Sequence, residues 1–271
     1  MRNLVITPAV GLKWSSIELF LKSLRLYFEG EVFFLISKND NELKKSLQYY
    51  KCEYKEVSIH KYDTQLKRYK IFYEYILEKK SFSKILFCDS RDIYFQSNPF
   101  DYNFNASINF FLEDQIFKNC EVNSNWAKKT FGEDIYQFLS NKTISCGGTV
   151  LANYDAMKTF LILMDSLIKK YKFKKRLKYF LTFRRDKTGR GCDQIHSNYL
   201  IYKNIIKDYY LYNNYDGPFA TVYYLKNIKF NTTGQLINEK NEPYSLVHQY
   251  DKRWNLFSEK VNRLKEKLNI I

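Results

Sequence analysis

Apolar positions along the first third of the chain fall into alternating strand-like and helix-like patterns. "NLVITPAV" is a continuous apolar run broken by Pro8 and Gly11, as expected of a strand buried on both faces. "SSIELFLKSLRLYF" then places Ile17, Phe20, Leu21 and Leu24 at helical spacing, with Ser15 or Ser16 as N-cap. "EVFFLIS" is a second strand, Asp40 caps a helix through "NELKKSLQYY", and "YKEVSI" is a third strand. "TQLKRYKIFYEYILEKK" is a long helix whose apolar face is Leu66, Tyr69, Ile71, Phe72, Tyr75 and Ile76. "KILFCD" is a fourth strand. This alternation predicts an α/β, Rossmann-like single domain, with a mostly parallel central sheet flanked by helices. Such sheets take ligands at the carboxyl ends of their strands.

The middle of the chain is less regular. "ASINFFLEDQIF" reads as a strand ending near Glu113 and Asp114, and "NSNWAKKTFGEDIYQFLSN" as a loop and one helix. "TISCGGTVLAN" is a strand interrupted by Gly147 and Gly148, which marks a bulge or a close backbone approach. Asn153 or Asp155 caps the helix "AMKTFLILMDSLIKKY", and another helix starts near Asp193 in "CDQIHSNYLIYKN". The segment 227–254 reads as short strands and turns, and "SEKVNRLKEKLNII" as an amphipathic helix. No internal repeat is visible.

Composition narrows the picture. The chain has 271 residues, 45 % of them hydrophobic and 18 % aromatic, with four prolines and nine glycines. That is a globular composition rather than a disordered one or a set of linked modules. The five cysteines are widely spaced with no CxxC pair, which argues against a zinc site or a disulfide framework and for reduced thiols. The N-terminus reads as a core strand rather than a signal peptide. No run approaches the roughly 20 apolar residues of a spanning helix. A cytoplasmic protein is expected, with peripheral attachment at the inner face of a membrane as an option. The net charge of +15 calls for an anionic partner. It is concentrated in "KKYKFKKRLKYFLTFRRDKTGRG" (169–191), with eleven basic residues and one acid.

In so basic a chain, the acids of "LFCDSRDIYF" stand out. Asp89 and Asp92 close the fourth strand with Arg91 between them. Paired carboxylates at that position suit a divalent cation bound together with substrate phosphates. They suit turn chemistry equally well. Strand alternation would put Asp92 on the opposite side from Asp89.

The order "DSRDIYFQ", "SCGGTVLANYDAM", "CDQIHSNYL" and "VHQYDKRW" resembles nucleotide-sugar-dependent glycosyltransferases of the GT-A fold. It is similar to those of the glycogenin and lipopolysaccharide galactosyltransferase type. The resemblance runs through nearly the whole chain, but each motif is short. It implies a GT-A domain over 1–254, with a nucleotide-binding half at about 1–100 and an acceptor half at about 101–254. The amphipathic helix 255–271 follows. It implies Mn²⁺ or Mg²⁺ held by Asp89, Asp92 and His248, and a nucleoside-diphosphate-sugar donor. The family's second aspartate falls on Arg91 here, one step before Asp92. Arg91 is therefore either a diphosphate contact or an ion-pair partner. Gly147 and Gly148 would let a sugar lie against the backbone. Asp193 and Gln194 match the pair beside the donor's reacting carbon, although Asp193 reads also as an N-cap. Asp193, Glu113 or Asp114 would deprotonate the acceptor in an inverting reaction, whereas in a retaining one Gln194 or Asp193 would lie on the acceptor-facing side. Lys252 and Arg253 either clamp the diphosphate or are solvated. Arg68 matches a nucleotide-contacting position and in isolation reads as a solvated charge.

The function implied is transfer of a sugar to a hydroxyl of a glycan or lipid-linked acceptor, in bacterial surface polysaccharide or glycolipid synthesis. An anionic membrane surface would be contacted through 169–190 and the C-terminal helix, unless that charge is simply solvated. Nucleic acid fits the same charge but is not the expected partner. Two other classes remain open: a metal-dependent nuclease or phosphoryl-transfer enzyme using Asp89, Asp92 and Glu113, and a non-catalytic membrane adaptor.

Overall fold

A computed structural model describes residues 2–59, 63–80, 82–182 and 191–270, with the backbone alone at 174–182. The first part alternates as the pattern predicts: β1 (Arg2–Pro8), α1 (Trp14–Arg25), β2 (Glu31–Ser37), α2 (Asn41–Tyr49), β3 (Glu53–Val57), α3 (Thr64–Lys79) and β4 (Phe82–Cys88). The middle comprises β5 (Ile93–Phe95), β6 (Ile108–Ile116), α4 (Glu121–Phe131), α5 (Glu133–Leu139), β7 (Thr143–Asn153), α6 (Tyr154–Thr182) and α7 (Cys192–Tyr202). The remainder is β8 (Tyr209–Tyr212), β9 (Phe219–Thr221), β10 (Lys229–Phe230), β11 (Leu236–Ile237), β12 (Leu246–His248) and α8 (Trp254–Lys267).

Seven strands form the central sheet in the order β3-β2-β1-β4-β7-β6-β8. All run parallel except β7, which is antiparallel to both β4 and β6. The chain is thus α/β with a mostly parallel sheet flanked by helices. Its strands read as unbroken apolar runs because both faces are covered. Leu4, Ile6, Ile85 and Phe87 face α3, α6 and α7, while Val5, Leu86 and Cys88 face α1 and α2. A second sheet, β5-β12-β9, lies beside the first and carries α8 on its own apolar cluster.

Local signals fared unevenly. Asp40 accepts from the Leu43 amide at 3.1 Å and Asn153 from the Ala156 amide at 2.9 Å, as cap chemistry predicts. Helix α1 instead starts one residue before Ser15, from Lys13, with no side-chain cap. The "loop and one helix" is two helices, broken at Gly132 where φ is +94°. Helix α6 runs on to Thr182, so the first part of the basic stretch is helical. The side chains of 174–182 and all of 183–190 lie outside the described residues. The five cysteines are buried, and Cys52, Cys88, Cys120 and Cys146 form no disulfide. No helix among the described residues is long and apolar enough to cross a membrane.

Candidate metal centre and adjoining cleft

Strand β4 stops at Cys88, so the alternation rule no longer governs the residues after it. The Asp89 amide still donates to Gly148 O at 2.9 Å, which prolongs the pairing with β7. Ser90 Oγ then donates to Pro8 O at 2.7 Å and ties the turn to the end of β1. Strand β5 begins directly after Asp92 and pairs antiparallel with β12, placing His248 opposite Ile93. The turn and the second sheet therefore bring together residues that strand spacing would separate. One ligand atom from each of Asp89, Asp92 and His248 lies within 4.8 Å of the other two.

Gly148 is required by this cluster. A Cβ there would stand 2.6 Å from His248 Cε1 and 2.7 Å from Asp89 Oδ2. Asp92 Oδ1 is 3.4 Å from His248 Nε2, and these side chains are 11 % and 2 % exposed. Burial disfavours both charges. The Cys146 sulfur and the Asp92 carboxylate outweigh it at His248, whose pKa stands well above the usual imidazole value. At Asp92 the opposing charges of His248, Arg91 and Lys252 outweigh it, and the carboxyl is held below its usual range. Two carboxylates and one imidazole, facing open cleft, are a donor set that fits Mn²⁺ better than the all-oxygen preference of Mg²⁺.

Arg68 organises the adjoining acids. Helix α3 buries it to 5 % exposure, so the solvated-charge reading is overturned. Its Nη1 donates to Asp89 Oδ1 and its Nη2 to Asp193 Oδ2, both at 2.8 Å. Its Cζ lies 4.6 Å from the Phe87 ring centroid. Burial raises the Asp193 pKa and the neighbouring Asp89 adds to that, while Arg68 opposes it. The N-cap of α7 is Gly191 at φ +74°, not Asp193. Asp193 sits one residue into the helix, free to face Arg68.

On the far side of β7, the Gly147 amide donates to Gln194 Oε1 at 3.1 Å. A Cβ on Gly147 would lie 3.0 Å from Gln194 Cβ. Gln194 Nε2 donates to Asn123 Oδ1 at 2.8 Å and Glu113 Oε1 at 3.5 Å. Burial pushes the Glu113 carboxyl up to about 7. Asp114 turns away and accepts from Asn214 at 3.2 Å.

These groups line one cleft of about 990 Å³, open at the carboxyl ends of β1 and β4. Arg91 and Lys252 reach its edge, where both pair with Asp251, at 3.3 and 3.4 Å. Arg91 is also 3.6 Å from Asp92. Arg253 is not among the lining residues; its Nη1 donates to the carbonyls of Tyr223 and Leu225 and anchors the turn before α8.

Several lining residues had drawn no attention in the sequence. Cys146 contacts His248, and Asn123 holds Gln194. Val122, Trp126, Tyr223 and Tyr224 form an apolar wall, joined where Tyr224 Oη meets Cys120 Sγ at 3.3 Å. Cys146 was adjacent to the glycine pair and thus legible by position. The aromatics carried no signal in a chain so rich in them. No protein-family model and no curated protein matches the chain.

Proposed function

We propose that the protein is a metal-assisted glycosyltransferase of the GT-A type, moving a sugar from a nucleoside-diphosphate donor to a hydroxyl of a glycan or lipid-linked acceptor. One observation carries the reading: Asp89, Asp92 and His248 converge within 4.8 Å at the carboxyl end of a mostly parallel sheet, beside a cleft of about 990 Å³. That volume has room for a donor and an acceptor together. A cation bound by these three residues supplies Lewis-acid stabilisation of the departing diphosphate.

The chain's own groups do the rest. Arg91 and Lys252, at the cleft edge, offset charge that develops on the phosphates. Arg68 fixes Asp89 and Asp193 in place and balances their charge. Gln194, held by Gly147 and Asn123, presents its amide to the donor sugar. Of the three acids considered for proton abstraction, Asp193 is locked to Arg68 and Asp114 to Asn214. Glu113 lines the cleft with a pKa near neutrality, suited to general-base work. In that reaction the acceptor oxygen bonds to the anomeric carbon and its proton passes to Glu113. The bond to the diphosphate breaks with its electron pair on the leaving oxygen. The wall of Trp126 and Tyr223 offers the acceptor an apolar face.

The test is thermal stability with Mn²⁺ and each of UDP, GDP and CDP. A ligand at about 100 times its Kd stabilises by about 2.7 kcal/mol, a shift of about 5 °C or more for a chain this size. The shift is expected with at least one nucleotide, abolished by EDTA and absent in Asp92→Asn. Salt-sensitive stabilisation by DNA oligomers with no nucleotide effect would overturn the reading in favour of a nuclease.

A further inference from the structure

The imidazole of His248 is held at both ends. Nε2 faces Asp92, whereas Nδ1 lies 3.3 Å from Cys146 Sγ. Cys146 is 1 % exposed and His248 2 %. The same sulfur receives the Gly148 amide at 3.4 Å. Gln194 Nε2 donates to the nearby Glu113 carboxyl at 3.5 Å. Strand periodicity explains the arrangement: Cys146 and Gly148 point to one face of β7 and Gly147 to the other. Thus Gly148 makes room for the His248 ring edge while Cys146, two residues earlier, meets the remaining nitrogen.

We propose that Cys146 is the positioning residue for His248: its sulfur accepts the Nδ1–H of the imidazole and keeps the Nε2 lone pair turned into the cleft as the ligand atom for a divalent cation. An imidazole that binds a cation is neutral, with one N–H and one lone pair, and the partner of the other nitrogen decides which is which. A thiol can accept that N–H weakly while passing its own proton to an acceptor. The imidazole proton therefore lies on Nδ1, donated to Sγ. No core-filling role needs His248 Nδ1 and the Gly148 amide to converge on one sulfur. This inference rests on the metal-assisted reading above.

The test uses Mn²⁺ alone, with no donor or acceptor. Binding to the full chain is followed by the electron paramagnetic resonance signal of free Mn²⁺, for wild type, Cys146→Ser, Cys146→Ala and His248→Ala. Loss of an outer-sphere partner is expected to weaken binding about tenfold or more in Cys146→Ala, while Cys146→Ser, whose hydroxyl can both accept and donate, stays within about threefold. Near-UV circular dichroism checks that each variant folds. In the Zn²⁺-loaded wild type, long-range ¹H–¹⁵N spectra are expected to place the His248 proton on Nδ1. A proton on Nε2, unchanged Mn²⁺ affinity in Cys146→Ala, or equal losses in both Cys146 variants would overturn the inference while leaving the metal centre standing. Wild type that binds no Mn²⁺ would remove the metal-assisted reading, and this inference with it.

Discussion

Glu113 lies 3 % exposed on β6, with its carboxyl raised from 4.5 to about 7 by burial against the opposing pull of His248, Gln194 and Cys146. A raised carboxyl favours the protonated form in the fold. The stability this contributes is complete below about pH 4.5 and is lost as pH rises to about 7. The shift corresponds to about 3 kcal/mol. Glu113→Gln keeps the position neutral at every pH. Urea denaturation of the metal-free protein is expected to show wild type losing about 3 kcal/mol more than Glu113→Gln between about pH 4.5 and pH 8. Parallel stability curves would show that Glu113 is not the buried titrating group. Glu113 was visible in the sequence as an acid at a strand end, but its protonation was not. That follows from burial by elements far apart in the chain. Arg68 makes the same point more sharply. Its helix position was legible, yet only the packing of α3 against β4 and α7 turns it from a surface charge into the link between Asp89 and Asp193.

Among the elements, α8 bears on the site through β12. Phe257 is fully buried and Val261 is 1 % exposed, packed with Leu19, Tyr94, Leu236 and Val247. Lys22 Nζ donates to the carbonyls of Leu268 and Asn269 and holds the helix end to α1. The amphipathic pattern of the tail was plain in the sequence. Its partner was not, because a stripe of apolar residues does not say which surface covers it. Since β12 carries His248 and shares this cluster, α8 backs the candidate metal centre. Phe257→Ala is expected to cost about 3–5 kcal/mol, read as a lower urea midpoint at unchanged slope. A cost below about 1 kcal/mol would mean that the helix is peripheral. The α4–α5 pair shows the opposite limit. Its periodicity was found, but the break at Gly132 needed a backbone angle that the pattern does not record.

For the whole molecule, the charge of +15 sets long-range behaviour rather than fold. The protein is expected to co-sediment with phosphatidylserine vesicles at low ionic strength and to be released by salt, at about 1 kcal/mol per basic residue near the surface. Equal binding to phosphatidylcholine vesicles would rule out an electrostatic contact. The α/β class, the order of the first four strands and helices, and the candidate acids were determined by the sequence alone, because burial on both sheet faces forces continuous apolar strands and one-sided helices. Whether Asp89 and Asp92 come together was decided only by the tertiary structure. Covalent spacing sets side-chain direction inside a strand, but β4 ends at Cys88. Beyond it, the direction of Asp92 depends on the Ser90 bond to Pro8 and on β5 pairing with β12, a strand more than 150 residues later. Such contacts are set by the packing of distant segments, which no local pattern encodes.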